Sequence, residues 1–229
     1  MDLKAEAQRF GLSIDASPFE TYYELLTDWN QRMNLTAITD REEVYEKHFL
    51  DSLSGASVFS VSDGMRITDV GSGAGFPGMV LAIAFPEAQV TLIEATGKKT
   101  LFLNEVISAL HLQNVTVVTG RGEDLAHDPL YREQSDLVTF RAVAALPMLL
   151  ELGAGFLRPG GSVAAYKGPG FEEEYQTTGH AMKVLDFSLM KKSTFDLAGT
   201  SRTIAVFQKH RHTRDTYPRT WNKIKNQRL

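Results

Sequence analysis

Asp69, Glu94, Glu123 and Arg141 are charged residues that stand at, or just past, the ends of short apolar runs, and Asp69 is followed by glycines at 71, 73 and 75. Arg66-Ile67-Thr68-Asp69-Val70-Gly71-Ser72-Gly73-Ala74-Gly75-Phe76-Pro77-Gly78 reads as a strand that enters a glycine loop and then opens a helix. Glycines in such a loop let backbone N–H groups approach a ligand where a Cβ would collide. A dinucleotide fingerprint would need its third glycine at position 76, where Phe76 stands, and no Gly-Lys-Ser/Thr closes the loop. The spacing therefore suits a nucleoside ligand with no phosphate to cradle. S-adenosylmethionine (SAM) is such a ligand, and Asp69, Gly71, Gly73 and Gly75 are its first candidate contacts.

In a sheet of this kind ligands bind beyond the carboxyl ends of the strands. After the second predicted strand comes Glu94-Ala95-Thr96, whose carboxylate can accept from both hydroxyls of a ribose. After the third comes Gly120-Arg121-Gly122-Glu123-Asp124, an acidic loop suited to the exocyclic amine of adenine or, alternatively, an ordinary helix cap. After the fourth stands Phe140-Arg141-Ala142-Val143, in place of the Asn/Asp-Pro-Pro-aromatic tetrad of enzymes that methylate exocyclic amines. The 229 residues contain no cysteine, so attack on a pyrimidine C6 by a thiolate is excluded, as are disulfides and thiolate zinc sites. What remains is an acceptor atom that is already nucleophilic, such as guanine N7. It has no proton to lose, so positioning and electrostatics would carry the reaction without a catalytic side chain.

The elements that must hold these residues follow a consistent pattern. Ser17-Pro18-Phe19-Glu20 predicts a capping box, and Phe19, Tyr22, Tyr23, Leu26, Trp29 and Met33 then recur at helical spacing. Helices are also predicted over 2–10 and, from the start signal Asp40-x-x-Glu43, over 42–53. From residue 66, strands over 66–70, 89–94, 115–119, 136–140 and 162–166 alternate with helices over 77–84, 98–110 and 146–156. Two β-rich runs, 184–191 and 202–209, predict a closing antiparallel pair. The fold class is α/β: a Rossmann-like SAM-dependent methyltransferase fold with a mainly parallel seven-stranded sheet and an N-terminal helical extension. We expect a helical extension over 1–60, a SAM-binding core over 61–209 and a basic tail over 210–229.

With 43% hydrophobic residues the chain can bury one sizeable core. No run of 18 apolar residues occurs and the amino terminus is not a basic-then-apolar leader, so a cytoplasmic protein with no membrane partner is expected; no metal and a monomeric state are expected as well. The formal charge of −4 is uneven. From Lys209 to Leu229 seven Lys/Arg stand against Asp215 alone, which is +6, and leaves −10 on the remainder. Such a tail is expected to hold a polyanion without choosing the base or affecting SAM affinity.

Asn34-Leu35-Thr36, Lys47-His48-Phe49-Leu50-Asp51-Ser52-Leu53, the glycine loop, Arg141-Ala142-Val143-Ala144, Leu157-Arg158-Pro159-Gly160-Gly161 and Lys167-Gly168 occur in one order along the chain. Together they resemble the small-subunit rRNA methyltransferase G family, also called glucose-inhibited division protein B. The resemblance spans nearly the whole chain, although Thr220-Trp221-Asn222 follows Tyr217-Pro218-Arg219 where family members often carry Gly and Lys-Pro-Leu. It implies methylation of guanine 527 at N7 in 16S rRNA, with 16S rRNA or the small ribosomal subunit as partner. It also implies that Gly71, Phe76, Glu94, Ala95, Thr96, Gly122, Glu123 and Arg141 surround SAM. His48 and Asp51, three apart on one helix face, either orient the guanine or pair with each other, and Lys167 either meets a phosphate or the base O6 or is a solvated surface lysine. The rival readings are a SAM-dependent methyltransferase for a small molecule or protein, and a non-catalytic ribosome-assembly factor.

Overall fold

Strands Arg66–Val70 (β1), Gln89–Glu94 (β2), Val115–Thr119 (β3), Ser135–Arg141 (β4), Leu157–Lys167 (β5), Phe187–Leu197 (β6) and Thr200–Lys209 (β7) form one sheet in a computed structural model that describes residues 1–229. Their order is β3-β2-β1-β4-β5-β7-β6. The first five strands are parallel; β7 runs antiparallel to both β5 and β6. Four of the five residues of β1 are buried, as expected for a central strand covered on both faces. The strand order reverses direction between β1 and β4, and the crevice beyond their carboxyl ends is where such sheets bind ligands.

The helices divide between the two faces. Leu3–Gln8 (α1), Ser17–Asn30 (α2), Arg41–Val44 (α3), Asp51–Leu53 (α4), Gly78–Ala84 (α5) and Gly97–Ala109 (α6) precede or connect the first three strands. Phe19, Tyr22, Phe49, Phe76 and Phe102 interleave in the core on that side. Burying each ring stabilises by about 1.5–3 kcal/mol, so the N-terminal helices belong to the same core as the sheet. Gly122–Leu125 (α7), Leu146–Phe156 (α8), Phe171–Gln176 (α9), Gly179–Leu185 (α10) and Trp221–Asn226 (α11) follow. All eleven residues of α8 are buried, including Glu151. A helix apolar on all sides must be covered on all sides, and the carboxyl-terminal segment covers its outer face.

Several local expectations need correction. Ser17 does not cap α2: its hydroxyl and N–H both bond Asp15, at 2.7 and 3.0 Å, and Glu20 instead accepts from Tyr45 and Arg41. Residues 184 and 185 are not strand, because Leu185 ends α10 with its side chain buried and Asp186 turns left-handed before β6. The predicted helix over 42–53 exists with a π-helical turn at its centre, Tyr45–Leu50, joining α3 to α4. Such wide turns recur where a helix must place side chains for function, and this one carries His48.

The tail is not a solvated arm. Lys209 is fully buried, with its ammonium donating to Glu133, Thr213 and the Ala154 carbonyl. Arg219 clamps Glu151 through Nε and Nη2 at 2.8 and 2.6 Å, and Arg211 pairs with Asp186. A Cβ on Gly155 would meet Pro218 at 2.8 Å, so that glycine lets the tail lie directly on α8. Two of the seven cations are thus neutralised inside the fold and Arg211 is paired at the surface; Arg214, Lys223, Lys225 and Arg228 are exposed without a salt-bridge partner.

Candidate active site

Two clefts open at the carboxyl edge of the sheet, one on each side of the turn after β4. The first, of about 250 Å³, lies over β1, β2 and β3 and includes Gly71, Glu94, Ala95, Thr96, Gly122 and Glu123. Its shape comes from backbone. Gly71 and Ser72 donate their N–H groups to the Ile93 carbonyl at 2.8 and 3.1 Å, which ties the glycine loop to the end of β2. Gly71 and Gly73 have φ of +74° and +60°, which L side chains rarely adopt, and the Cβ position of Gly73 faces open space. Glu94 uses one oxygen for the Gly73 N–H at 3.0 Å and the other for the Thr96 N–H at 2.8 Å. Each carboxylate oxygen retains acceptor capacity for a hydroxyl. Val143 and Leu152 supply apolar wall and Glu123 an acceptor. This donor and acceptor set, without a phosphate cradle, fits an adenosine bearing a free ribose diol.

Asp69 does not line that cleft. It is 1% exposed, and its carboxylate accepts from Thr139 Oγ1 at 2.8 Å and from the Gly78 N–H at 3.1 Å. It therefore joins β1 to β4 and caps the start of α5, shaping the loop from behind. Burial pushes its pKa up to about 6, against the lowering effect of those hydrogen bonds. Gly75 and Phe76 also face away from the cleft. A Cβ on Gly75 would strike the Tyr22 hydroxyl, which donates to the Ala74 carbonyl, and Phe76 stacks between Tyr22 and His48.

The second cleft, of about 330 Å³, brings together His48, Asp51, Arg141 and Lys167 with Arg202 and Glu174. Arg141 is its organiser. The guanidinium donates to Asp51 Oδ2 at 2.8 Å, to the Lys47 carbonyl at 2.9 Å and to His48 Nδ1 at 3.1 Å, and lies over the Phe76 ring. His48 Nδ1 lies equally near the Lys47 carbonyl, at 3.1 Å: arginine cannot accept, so the Arg141 contact is met by the tautomer whose Nε2–H donates to Thr36 Oγ1 at 2.8 Å, and the Lys47 contact by the tautomer with Nδ1–H. Burial, with the positive charge of Arg141 second, pulls the His48 pKa down to about 4. His48 is thus neutral near pH 7, with both nitrogens engaged. His48 and Asp51 do not pair with each other; the π turn turns both toward Arg141. Thr36 is positioned in turn by Asn30, whose side-chain oxygen accepts from the Leu35 and Thr36 N–H groups, whereas Asn34 is exposed. Lys167 pairs with Glu174 at 2.7 Å and donates to the Ala144 carbonyl.

The turn after β4 divides the clefts. Arg141 and Ala142 face the second and Val143 the first, an alternation set by the left-handed backbone of Ala142 at φ +57°. A non-glycine residue held there carries strain that the surroundings must enforce. Arg141, expected around the cofactor, thus stands on the far side of that turn from the first cleft. Sequence reasoning missed Tyr166, Glu174 and Arg202 in one cleft and Leu152 and Trp221 in the other. Arg202 lies on the antiparallel β7, within 3.5 Å of Asp51, and no local motif marks it.

A model of the GidB family, described as rRNA small subunit methyltransferase G, matches residues 15–204. The chain belongs to that family. A relative named ribosomal RNA small subunit methyltransferase G from Lachnoclostridium phytofermentans is 42% identical over 90% of this chain and 86% of its own. Another of that name, from Staphylococcus aureus, is 41% identical over 88% of this chain and 84% of its own. Among solved structures, the B. subtilis tRNA methyltransferase TrmK superposes with a TM-score of 0.55 at 14% identity over 73% of this chain and 67% of that one. M. jannaschii TYW2, crystallised in complex with AdoMet, gives 0.52 at 18% identity over 65% and 71%. The family and its fold make this member a SAM-dependent methyltransferase.

Proposed function

We propose that this family member methylates N7 of guanine 527 in 16S rRNA, with SAM held in the cleft over β1–β3 and the guanine in the cleft around Arg141. The observation that carries the reading is the second cleft: cations and carboxylates in pairs beside a histidine held neutral. Bound SAM supplies an electrophilic methyl on a sulfonium. Glu94 holds the ribose diol and the glycine loop together, while Glu123 faces the adenine amine. Lys167 and Arg202 offer donors to the O6 edge of the base; Asp51 and Glu174 offer acceptors to its N1–H and amino group. N7 needs no base, in keeping with a His48 whose nitrogens are both occupied. Positive charge passes to the purine during transfer, and a bare Arg141 would oppose it. Its pairing with Asp51 removes that penalty.

The relatives' names make ribosomal RNA the substrate class, and the family resemblance supplies the position. We propose that the chain acts in the cytoplasm as a monomer. Mass mapping of modified guanines in rRNA from cells with and without the gene tests the reading. The 7-methyl group should vanish at one guanine and return with the wild-type gene. Loss of methyl from an adenine amine or a cytosine carbon, or no change, would refute it.

A further inference from the structure

We infer that Trp221 is part of the cofactor site: its indole forms the wall against which the adenine of SAM packs, making the carboxyl-terminal segment a clasp on the cofactor. This rests on the assignment of the β1–β3 cleft to SAM.

Trp221 lines that cleft together with Gly120–Glu123 and Leu152, and it is the only aromatic residue to do so. The loop Gly120–Glu123 is where the adenine amine would be met. A purine ring enclosed by glycines and aliphatic side chains lacks a π-face to stack on, and Trp221 supplies one. Core packing does not account for this residue. Trp221 is half-buried and belongs to neither hydrophobic core, although Tyr217 and Leu229 nearby pack against the second.

The position of the indole is enforced from both sides. Two residues before it, Arg219 forks onto the buried Glu151, and its N–H adds a third bond at 2.9 Å. Three residues after it, Ile224 is fully buried. A six-residue helix is not stable alone, so these anchors, rather than helix propensity, hold α11 in place. His127 donates to the Pro218 carbonyl at 2.8 Å and Arg132 to the Thr213 and Tyr217 carbonyls, which fixes the approach. On α8, Glu151 grips the tail while its neighbour Leu152 faces the cleft. Cofactor wall and tail anchor are therefore adjacent residues of one rigid element.

S-adenosylhomocysteine, the demethylated product, is the probe, titrated into the full chain by calorimetry and by indole emission. Binding should change the emission, and Trp221→Phe should abolish that change, because the remaining Trp29 packs against Phe102 in the other core. Trp221→Ala should raise Kd about tenfold with the melting temperature held, and Trp221→Phe should restore most of the affinity. Equal Kd for the unaltered chain and Trp221→Ala overturns the clasp alone. So does equal weakening by Ala and Phe without an emission change, which would mark a merely structural role. No binding by the unaltered chain removes the cleft assignment, and the clasp with it.

Discussion

The two clefts are built on opposite principles. Around Glu94 the walls are backbone, glycine and aliphatic side chain, and a carboxylate holds two N–H groups within 21 residues of itself. Around Arg141 the walls are charged side chains, and the central pair joins residues 90 apart. In the first, the glycine loop and its carboxylate are local chemistry, and Val143, Leu152 and Trp221 complete the wall from far along the chain. The second exists only because the π turn and α4 are held against the ends of β4 and β7.

Breaking Arg141 should separate the clefts most sharply. Arg141→Ala leaves the buried Asp51 carboxylate with only the longer 3.5 Å contact to Arg202, with an expected loss of about 3 kcal/mol in urea unfolding. Methyl transfer should fall about a hundredfold or more, with SAM affinity changed far less. The double variant Arg141→Ala, Asp51→Ala should regain most of the stability and none of the activity. Recovery of activity would show that the pair serves folding alone.

Opposite pH dependences distinguish the two sides next. Asp69 has its pKa raised to about 6, so its contribution is present below its unfolded value near 3.8 and is lost as pH rises through 6. His48 is pulled down to about 4, so its contribution is present above 6.5 and is lost as pH falls through 4. Each amounts to about 3 kcal/mol across the window from pH 4 to 6.5, and they largely cancel in the wild type. Relative to wild type, Asp69→Asn should gain stability as pH rises through that window and His48→Gln should lose it. Urea unfolding between pH 4 and 7 measures both slopes, and parallel curves for all three proteins would contradict the assignment.

A smaller effect belongs to the cofactor side alone. Glu94→Ala removes two charge-assisted bonds to backbone, each worth about 1.5–3 kcal/mol where desolvated. Calorimetry should show SAM binding weakened at least about tenfold, with RNA affinity unaltered. Smallest of all are the exposed tail cations. Lys223→Ala, Lys225→Ala and Arg228→Ala should each flatten the salt dependence of rRNA binding by roughly 0.7 to 0.9 units while leaving SAM affinity alone. An unchanged slope would remove the tail from the RNA interface. Deleting the tail outright would confuse this test, because it also takes away Trp221 and the cover of α8.

The glycine loop, the five parallel strands and the carboxylate turns were legible because each depends on residues close in sequence: a strand ends, a turn needs positive φ, a helix starts. The Ser17 capping box was misread because Asp15, two residues earlier, competes for the same donors at short range. The helix ending at Leu185 was misread because the apolar run Val184-Leu185 lies directly before the strand that starts at Phe187, while burial of Ala181 and Leu185 against the second core holds them in helix. Propensity is weak beside such packing.

By itself the sequence determined the class of fold and the glycine loop at the end of β1, and its lack of cysteine excludes a thiolate nucleophile. These follow from local sterics and from residue types that no fold can supply if the chain lacks them. Tertiary structure alone decided that Asp69 braces the loop from behind, that His48 and Asp51 converge on Arg141, and that Arg202 joins them. It also turned a tail with seven cations into a cover whose Lys209 and Arg219 are spent on Glu133 and Glu151. Charge partners 68 to 90 residues apart leave no periodic trace along the chain, since burial selects them only after the strands have chosen their neighbours.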